Sequence, residues 1–225
     1  MLLPILLTVC CIIVDQVFLA IMGQKHFGRA TVWKALASLC FLGVGFCMAF
    51  LVTASNPVHT KIFIGLALGL VGDVLLAMAY KWPEKHDLLF VIGAVFFAVG
   101  HVFYLIALFA TGAKVLVALP FWLVGVGLSA WYTLKMKTDA GSMLIPGGCY
   151  IGLVVAMGAA ACSRFVLHPN LGTALFALGG ILFCISDNIL SAYKMGNAKA
   201  EKYNRYVHYT YYAAQLMIGW SMLWS

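Results

Sequence analysis

The chain has 225 residues, 64% of them hydrophobic and only 9% charged, with a formal net charge of +7. An average globular domain is about 25% charged, so a soluble enzyme of this composition could not cover its own surface, and a disordered chain would be charge-rich instead. The composition therefore predicts an all-α polytopic membrane protein, because a membrane β-barrel would show alternating segments of about ten residues rather than unbroken apolar runs.

A bilayer core of about 30 Å takes roughly 20 apolar residues per helix. Eight such stretches occur in order, at 2–22, 33–52, 61–79, 88–110, 113–133, 143–162, 172–193 and 206–224. The short connections carry charge or turn residues, among them Ser55-Asn56-Pro57 and Lys81-Trp82-Pro83-Glu84. Nothing is left over for a soluble domain, so residues 1–225 are expected to form one eight-helix transmembrane domain. The first stretch has no basic residues before it and no small-residue cleavage site after it, so it reads as a retained helix rather than a signal peptide.

Basic residues predict the orientation. The connections after stretches one, three, five and seven hold ten of them: Lys25, Arg29, Lys81, Lys85, Lys135, Lys137, Lys194, Lys199, Lys202 and Arg205. The connections between hold three, Lys61, Lys114 and Arg164. The richer set is expected in the cytoplasm, with both termini on the other side, a pattern that serves a bacterial plasma membrane and a eukaryotic endomembrane alike. The positive charge thus reflects topology, and no nucleic-acid partner follows from it. The seven cysteines all sit in apolar spans with no C-x-x-C spacing, so they read as packing residues.

Ionisable residues inside spans are the informative ones, since each costs about 2.5–3.5 kcal/mol at a helix centre on insertion scales. They are Asp15, Lys34, Asp73, His101 and Asp187. Counted from the expected cytoplasmic ends at about 1.5 Å per residue, the three aspartates lie roughly 10 Å deep. Tyr150 and Tyr212 fall at a similar depth and Gln215 one turn deeper, which outlines a polar level in the cytoplasmic half; His101 lies further in. Gly65, Gly69, Asp73 and Ala77 recur every fourth residue, so Asp73 stands on a stripe of small residues that admits a close neighbour. Gly180, Asp187 and Ser191 share one face of the seventh stretch, and His208, Tyr212, Gln215 and Gly219 share one face of the eighth. For Tyr150, Tyr212 and Gln215, interhelical hydrogen bonding and a role in a site are both open readings. Asp73-Val74-Leu75-Leu76 is echoed by Asp187-Asn188-Ile189-Leu190, and each stretch runs on to Tyr-Lys (Tyr80-Lys81, Tyr193-Lys194). The following stretches carry His101-x-x-Tyr104 and His208-x-x-Tyr211, so a parallel four-plus-four repeat is a further expectation.

Four motifs in order carry a resemblance: Gly72-Asp73-Val74-Leu75-Leu76, Phe97-x-x-Gly100-His101-x-x-Tyr104, Gly180-Ile181-Leu182-Phe183-x-x-Ser186-Asp187, and Tyr211-Tyr212-x-x-Gln215. Together they resemble the YhhN family of eight-helix membrane proteins, which includes the lysoplasmalogenases. The similarity runs from Lys34 to Gln215, with Ala35 standing where the family often has proline. The resemblance implies hydrolysis of the vinyl ether bond of a lysoplasmalogen, giving a fatty aldehyde and glycerophosphoethanolamine or glycerophosphocholine. Protonation of the vinyl β-carbon makes an oxocarbenium ion that water captures, which calls for one carboxylic acid and one carboxylate. Asp73 and Asp187 are the candidates for these two roles, in either order. Lys34, His101, Tyr104, Tyr150, Ser186, Tyr212 and Gln215 are the candidate substrate-binding residues. Lys34 at a helix end would meet the phosphate, or would snorkel to the interface; Asp15 is outside the motifs and reads as a supporting or structural carboxylate. No H-E-x-x-H or nucleophile–base motif is present, so no metal or cofactor is expected, and the partners are the lysophospholipid substrate and membrane lipids. A proton-coupled transporter using the same aspartates is the rival reading.

Overall fold

Asn56 and Asn170 show how the helices begin. Asn56 Oδ1 accepts from the backbone N–H groups of Val58 and His59, ahead of Pro57 at the first helical position, and Asn170 forms a reciprocal capping box with Thr173. Both satisfy donors that a helix start leaves exposed. In the computed structural model, which describes residues 1–54, 56–139, 141–197 and 200–224, eight α-helices are seen. They are α1 (Leu2–Gly23), α2 (Phe27–Phe46), α3 (Pro57–Lys81), α4 (His86–Ala110), α5 (Val115–Lys135), α6 (Leu144–Leu167), α7 (Leu171–Met195) and α8 (Glu201–Ser221). Ser55 of the expected turn and Lys199 of the basic run lie outside the described residues.

The helices overrun the apolar stretches that mark them. α2 starts at Phe27 rather than at 33, α3 at Pro57 rather than at 61, and α8 at Glu201 rather than at 206. Hydropathy sees only the part of a helix in hydrocarbon, whereas the hydrogen-bond ladder continues through the polar turns at the interface. The last part of the second stretch is different again, since Cys47–Val52 winds as a π-helix beyond α2. Among the described residues, seven helical spans are long and apolar enough to cross a membrane, from Leu2–Gly23 to Leu171–Met195. α8 is more polar, opening on Glu201, Lys202 and Arg205. The protein is an integral, multi-pass, all-α membrane protein.

Two compact units divide the chain, Met1–Tyr104 and Leu105–Ser225. In the first, α1, α2 and α3 pack in succession. The Cys11 thiol donates to the Ala37 carbonyl at 3.3 Å, and further along the same pair of helices Phe18 and Leu19 pack against Ala30. The small-residue stripe on α3 admits α4 as expected. A Cβ at Gly65 would collide with the Tyr104 ring and one at Gly72 with the Phe97 ring, so two large side chains of α4 fill notches that only glycine leaves.

In the second unit α7 packs between α6 and α8. Gly158 and Gly180 bring α6 and α7 together, a Cβ on Gly180 falling 3.0 Å from the Gly158 Cα. The turn after α5 is tied to the end of α7, with Asp139 N–H donating to the Met195 carbonyl and Asn197 N–H to the Met136 carbonyl, both at 3.0 Å.

Candidate functional site

Lys34 stands two turns into α2, and its burial (8% exposed) follows from its partner. Its Nζ lies 3.0 Å from Asp73 Oδ1 on α3. Ser38, one turn further along the same face of α2, donates to Asp73 Oδ2 at 2.7 Å. Both carboxylate oxygens of Asp73 are therefore engaged, and Asp73 is 1% exposed. The Lys34 ammonium also sits over the Phe18 ring of α1, 5.4 Å from its centroid. A lysine at a helix end would snorkel to water; because α2 begins at Phe27, this one is inside, where the carboxylate offsets its desolvation.

The second unit builds a comparable arrangement with different chemistry. Tyr150 on α6 donates its hydroxyl to Asp187 Oδ2 on α7 at 2.6 Å. Ser186, next to it, donates to the Val207 carbonyl at 3.1 Å and so fastens α7 to α8. On α8, Gln215 Nε2 donates to the Tyr211 hydroxyl at 2.9 Å, and Tyr212 lies against His208 with ring centroids 5.9 Å apart. Asp73 is thus on α3 with a hydrogen-bond donor on α2, and Asp187 is on α7 with a hydrogen-bond donor on α6. Asp15, Asp73 and Asp187 each lie eight residues before the last residue of their own helix, about 12 Å along the axis.

His101 and Tyr104 belong to the packing of α4 on α3. His101 Nδ1 is 2.7 Å from the Phe97 carbonyl, which can only accept, so the proton is on Nδ1. Its ring meets Tyr104 edge-on at 6.0 Å between centroids, and Tyr104 fills the notch at Gly65. Among the described residues, no group of three or more His, Cys, Asp or Glu side chains is arranged to hold a metal. The seven cysteines carry free thiols.

The structure therefore brings Lys34 to Asp73 and Tyr150 to Asp187, fastens α7 to α8 through Ser186, and holds Gln215 against Tyr211 within α8. Sequence reasoning missed Ser38. The signal was its spacing, one turn from Lys34, but a serine in an apolar helix is usually satisfied by its own backbone. Chemically, the first unit offers a buried ion-paired carboxylate, and the second offers a buried carboxyl group hydrogen-bonded by a phenol.

The sequence model of the YhhN family matches residues 5–222. Lysoplasmalogenase TMEM86A of Homo sapiens is 32% identical over 205 residues, covering 87% of this chain and 79% of the human protein. No solved structure is significantly similar.

Proposed function

The chain belongs to the YhhN family, and from that premise we propose that it is a lysoplasmalogenase. It hydrolyses the vinyl ether bond of a lysophospholipid, releasing a fatty aldehyde and leaving glycerophosphoethanolamine or glycerophosphocholine. The observation that carries the reading is the pair of buried aspartates, one ion-paired to Lys34 and one hydrogen-bonded by Tyr150, together with the similarity to the human lysoplasmalogenase.

The roles divide by partner. Asp73, held by Lys34 and Ser38, acts as the carboxylate that stabilises the oxocarbenium ion and orients water. Asp187 gives its proton to the vinyl β-carbon, and Tyr150 fixes the orientation of its carboxyl group. Water adds to the carbon bearing the ether oxygen, and the hemiacetal collapses to aldehyde and the glycerol hydroxyl. One water is consumed, and the proton lost by the added water restores the acid. Lys34 is engaged with Asp73 in this scheme and is not the phosphate ligand.

Tyr150→Phe removes one hydrogen bond to the proton donor while keeping the ring. Asp187 becomes a carboxylate as its proton leaves, and a hydrogen bond to a charged acceptor contributes about 1.5 kcal/mol or more, so kcat is expected to fall roughly tenfold. A kcat within twofold of wild type in an aldehyde-release assay would detach Tyr150 from the mechanism.

We place the connections after α1, α3, α5 and α7 in the cytoplasm, on the strength of the excess of Lys and Arg there. Single cysteines introduced at Lys137 and Lys202 in a cysteine-free background are expected to react with impermeant maleimide only after the membrane is opened. Labelling of intact cells at either position would reverse the topology.

A further inference from the structure

The buried face of α1 carries Cys11, Asp15 and Phe18, positions one helical turn apart along a single stripe. Asp15 is 3% exposed. The register between α1 and α2 fixes what it faces. Cys11 meets Ala37 through its thiol. Seven residues further along α1, Phe18 meets Ala30, which is seven residues back along α2. Asp15, four residues past Cys11, therefore comes level with Trp33 and Lys34. Lys34 confirms that it reaches this face of α1, because its ammonium sits over the Phe18 ring. Cys11 lies within electrostatic reach of both Asp15 and Asp73, which puts the two carboxylates in one neighbourhood. Histidines aside, Asp15, Lys34 and Asp73 are the charged side chains buried in this unit among the described residues.

We propose that Asp15, Lys34 and Asp73 work as a three-charge cluster of net charge −1, in which Asp15 supplies the negative charge that Lys34 would otherwise cancel on Asp73. This rests on the lysoplasmalogenase reading for its consequence in catalysis, though not for the existence of the cluster. The physical need is plain. A carboxylate paired to an ammonium at 3.0 Å is a near-neutral dipole to a cation several ångströms away, and stabilises an oxocarbenium ion weakly. A second carboxylate on the other side of the same lysine restores a net negative field, while the lysine keeps two buried acids from repelling one another. Asp15 is thus a positioning residue acting through Lys34 and through the field, and Lys34 is the shared cation.

The test is charge compensation in a four-protein cycle: wild type, Asp15→Asn, Lys34→Met and the double variant, each full-length in detergent or nanodiscs. Asp15→Asn makes the cluster neutral and is expected to lower kcat at least about tenfold, with KM within twofold. Adding Lys34→Met returns the net charge to −1 on Asp73 alone, and is expected to raise kcat above that of Asp15→Asn. Losses that simply accumulate in the double variant overturn the proposal, since a structural role is not repaired by a second deletion. Thermal midpoints of the same proteins read the cluster without any assay of activity. Lys34→Met leaves two buried acids without their cation, so the double variant should melt above it by about 3 °C or more. Equal midpoints, or a lower one for the double variant, also overturn the proposal. Asp15→Glu provides an arm that leaves Lys34 intact: it keeps the charge and should keep kcat well above that of Asp15→Asn, whereas equal losses in the two overturn the proposal. A wild-type protein that releases no aldehyde defeats the functional reading alone, and the midpoints then decide on the cluster.

Discussion

Asp73→Asn and Asp187→Asn are each expected to lower aldehyde release by about a thousandfold while the protein still inserts and folds. Asparagine keeps the size of the side chain, and its amide oxygen still accepts from Ser38 in one case and from Tyr150 in the other. What it removes is the acid–base function, for which general acid–base groups typically contribute about 10²–10⁴-fold. The two variants should differ in stability. Asp73→Asn takes away the carboxylate 3.0 Å from the buried Lys34 ammonium, and removing one partner of a buried pair costs up to about 3–5 kcal/mol, whereas Asp187→Asn keeps an acceptor for the Tyr150 hydroxyl. Size-exclusion profiles and thermal midpoints measured beside kcat separate the effects. Full activity in either variant removes that carboxylate from the reaction.

Gly65→Leu is expected to destabilise the first unit substantially. The Tyr104 ring occupies the place where a Cβ would go, and Tyr104 is itself 1% exposed and hemmed in by its neighbours. Overpacking of a filled core costs about 1–3 kcal/mol, which for a chain of this size lowers the midpoint by roughly 3–10 °C. Tyr104→Ala should partly relieve the defect, so the double variant should be less destabilised than the two single losses added together. Gly148→Ala is the control, because nothing lies within 4 Å of a Cβ there; it should leave stability unchanged or raise it by up to about 1 kcal/mol. Equal effects at Gly65 and Gly148 would mean that α3 and α4 do not pack as described.

Much of this was legible because lipid imposes few rules. The eight apolar stretches, the small-residue stripe at Gly65, Gly69, Asp73 and Ala77, and the burial of Asp73 and Asp187 follow from helix length and from the cost of charge in hydrocarbon. The start of α2 was not legible, since His26 to Val32 has no apolar signal of its own and is helical because the ladder continues. That error displaced Lys34 to a helix end and hid its pairing with Asp73, a contact between side chains 39 positions apart in sequence. The π-helical turn at Cys47–Val52 was equally hidden, because hydropathy is blind to the choice among helix types. Ser38 and Asp15 illustrate a third limit. Their meaning comes from the register between neighbouring helices, and a register is fixed by packing rather than by any local pattern.

The account turns on carbon protonation of a vinyl ether by a buried carboxylic acid. The most direct measurement is mass spectrometry of the aldehyde that purified protein releases from a lysoplasmalogen in deuterated water, trapped as it forms by reduction with unlabelled borohydride. The account predicts an alcohol derived from the aldehyde that carries one deuterium on the carbon next to the former carbonyl, formed by the wild type and not by Asp187→Asn. Absence of aldehyde, or aldehyde formed equally by Asp187→Asn, would contradict it.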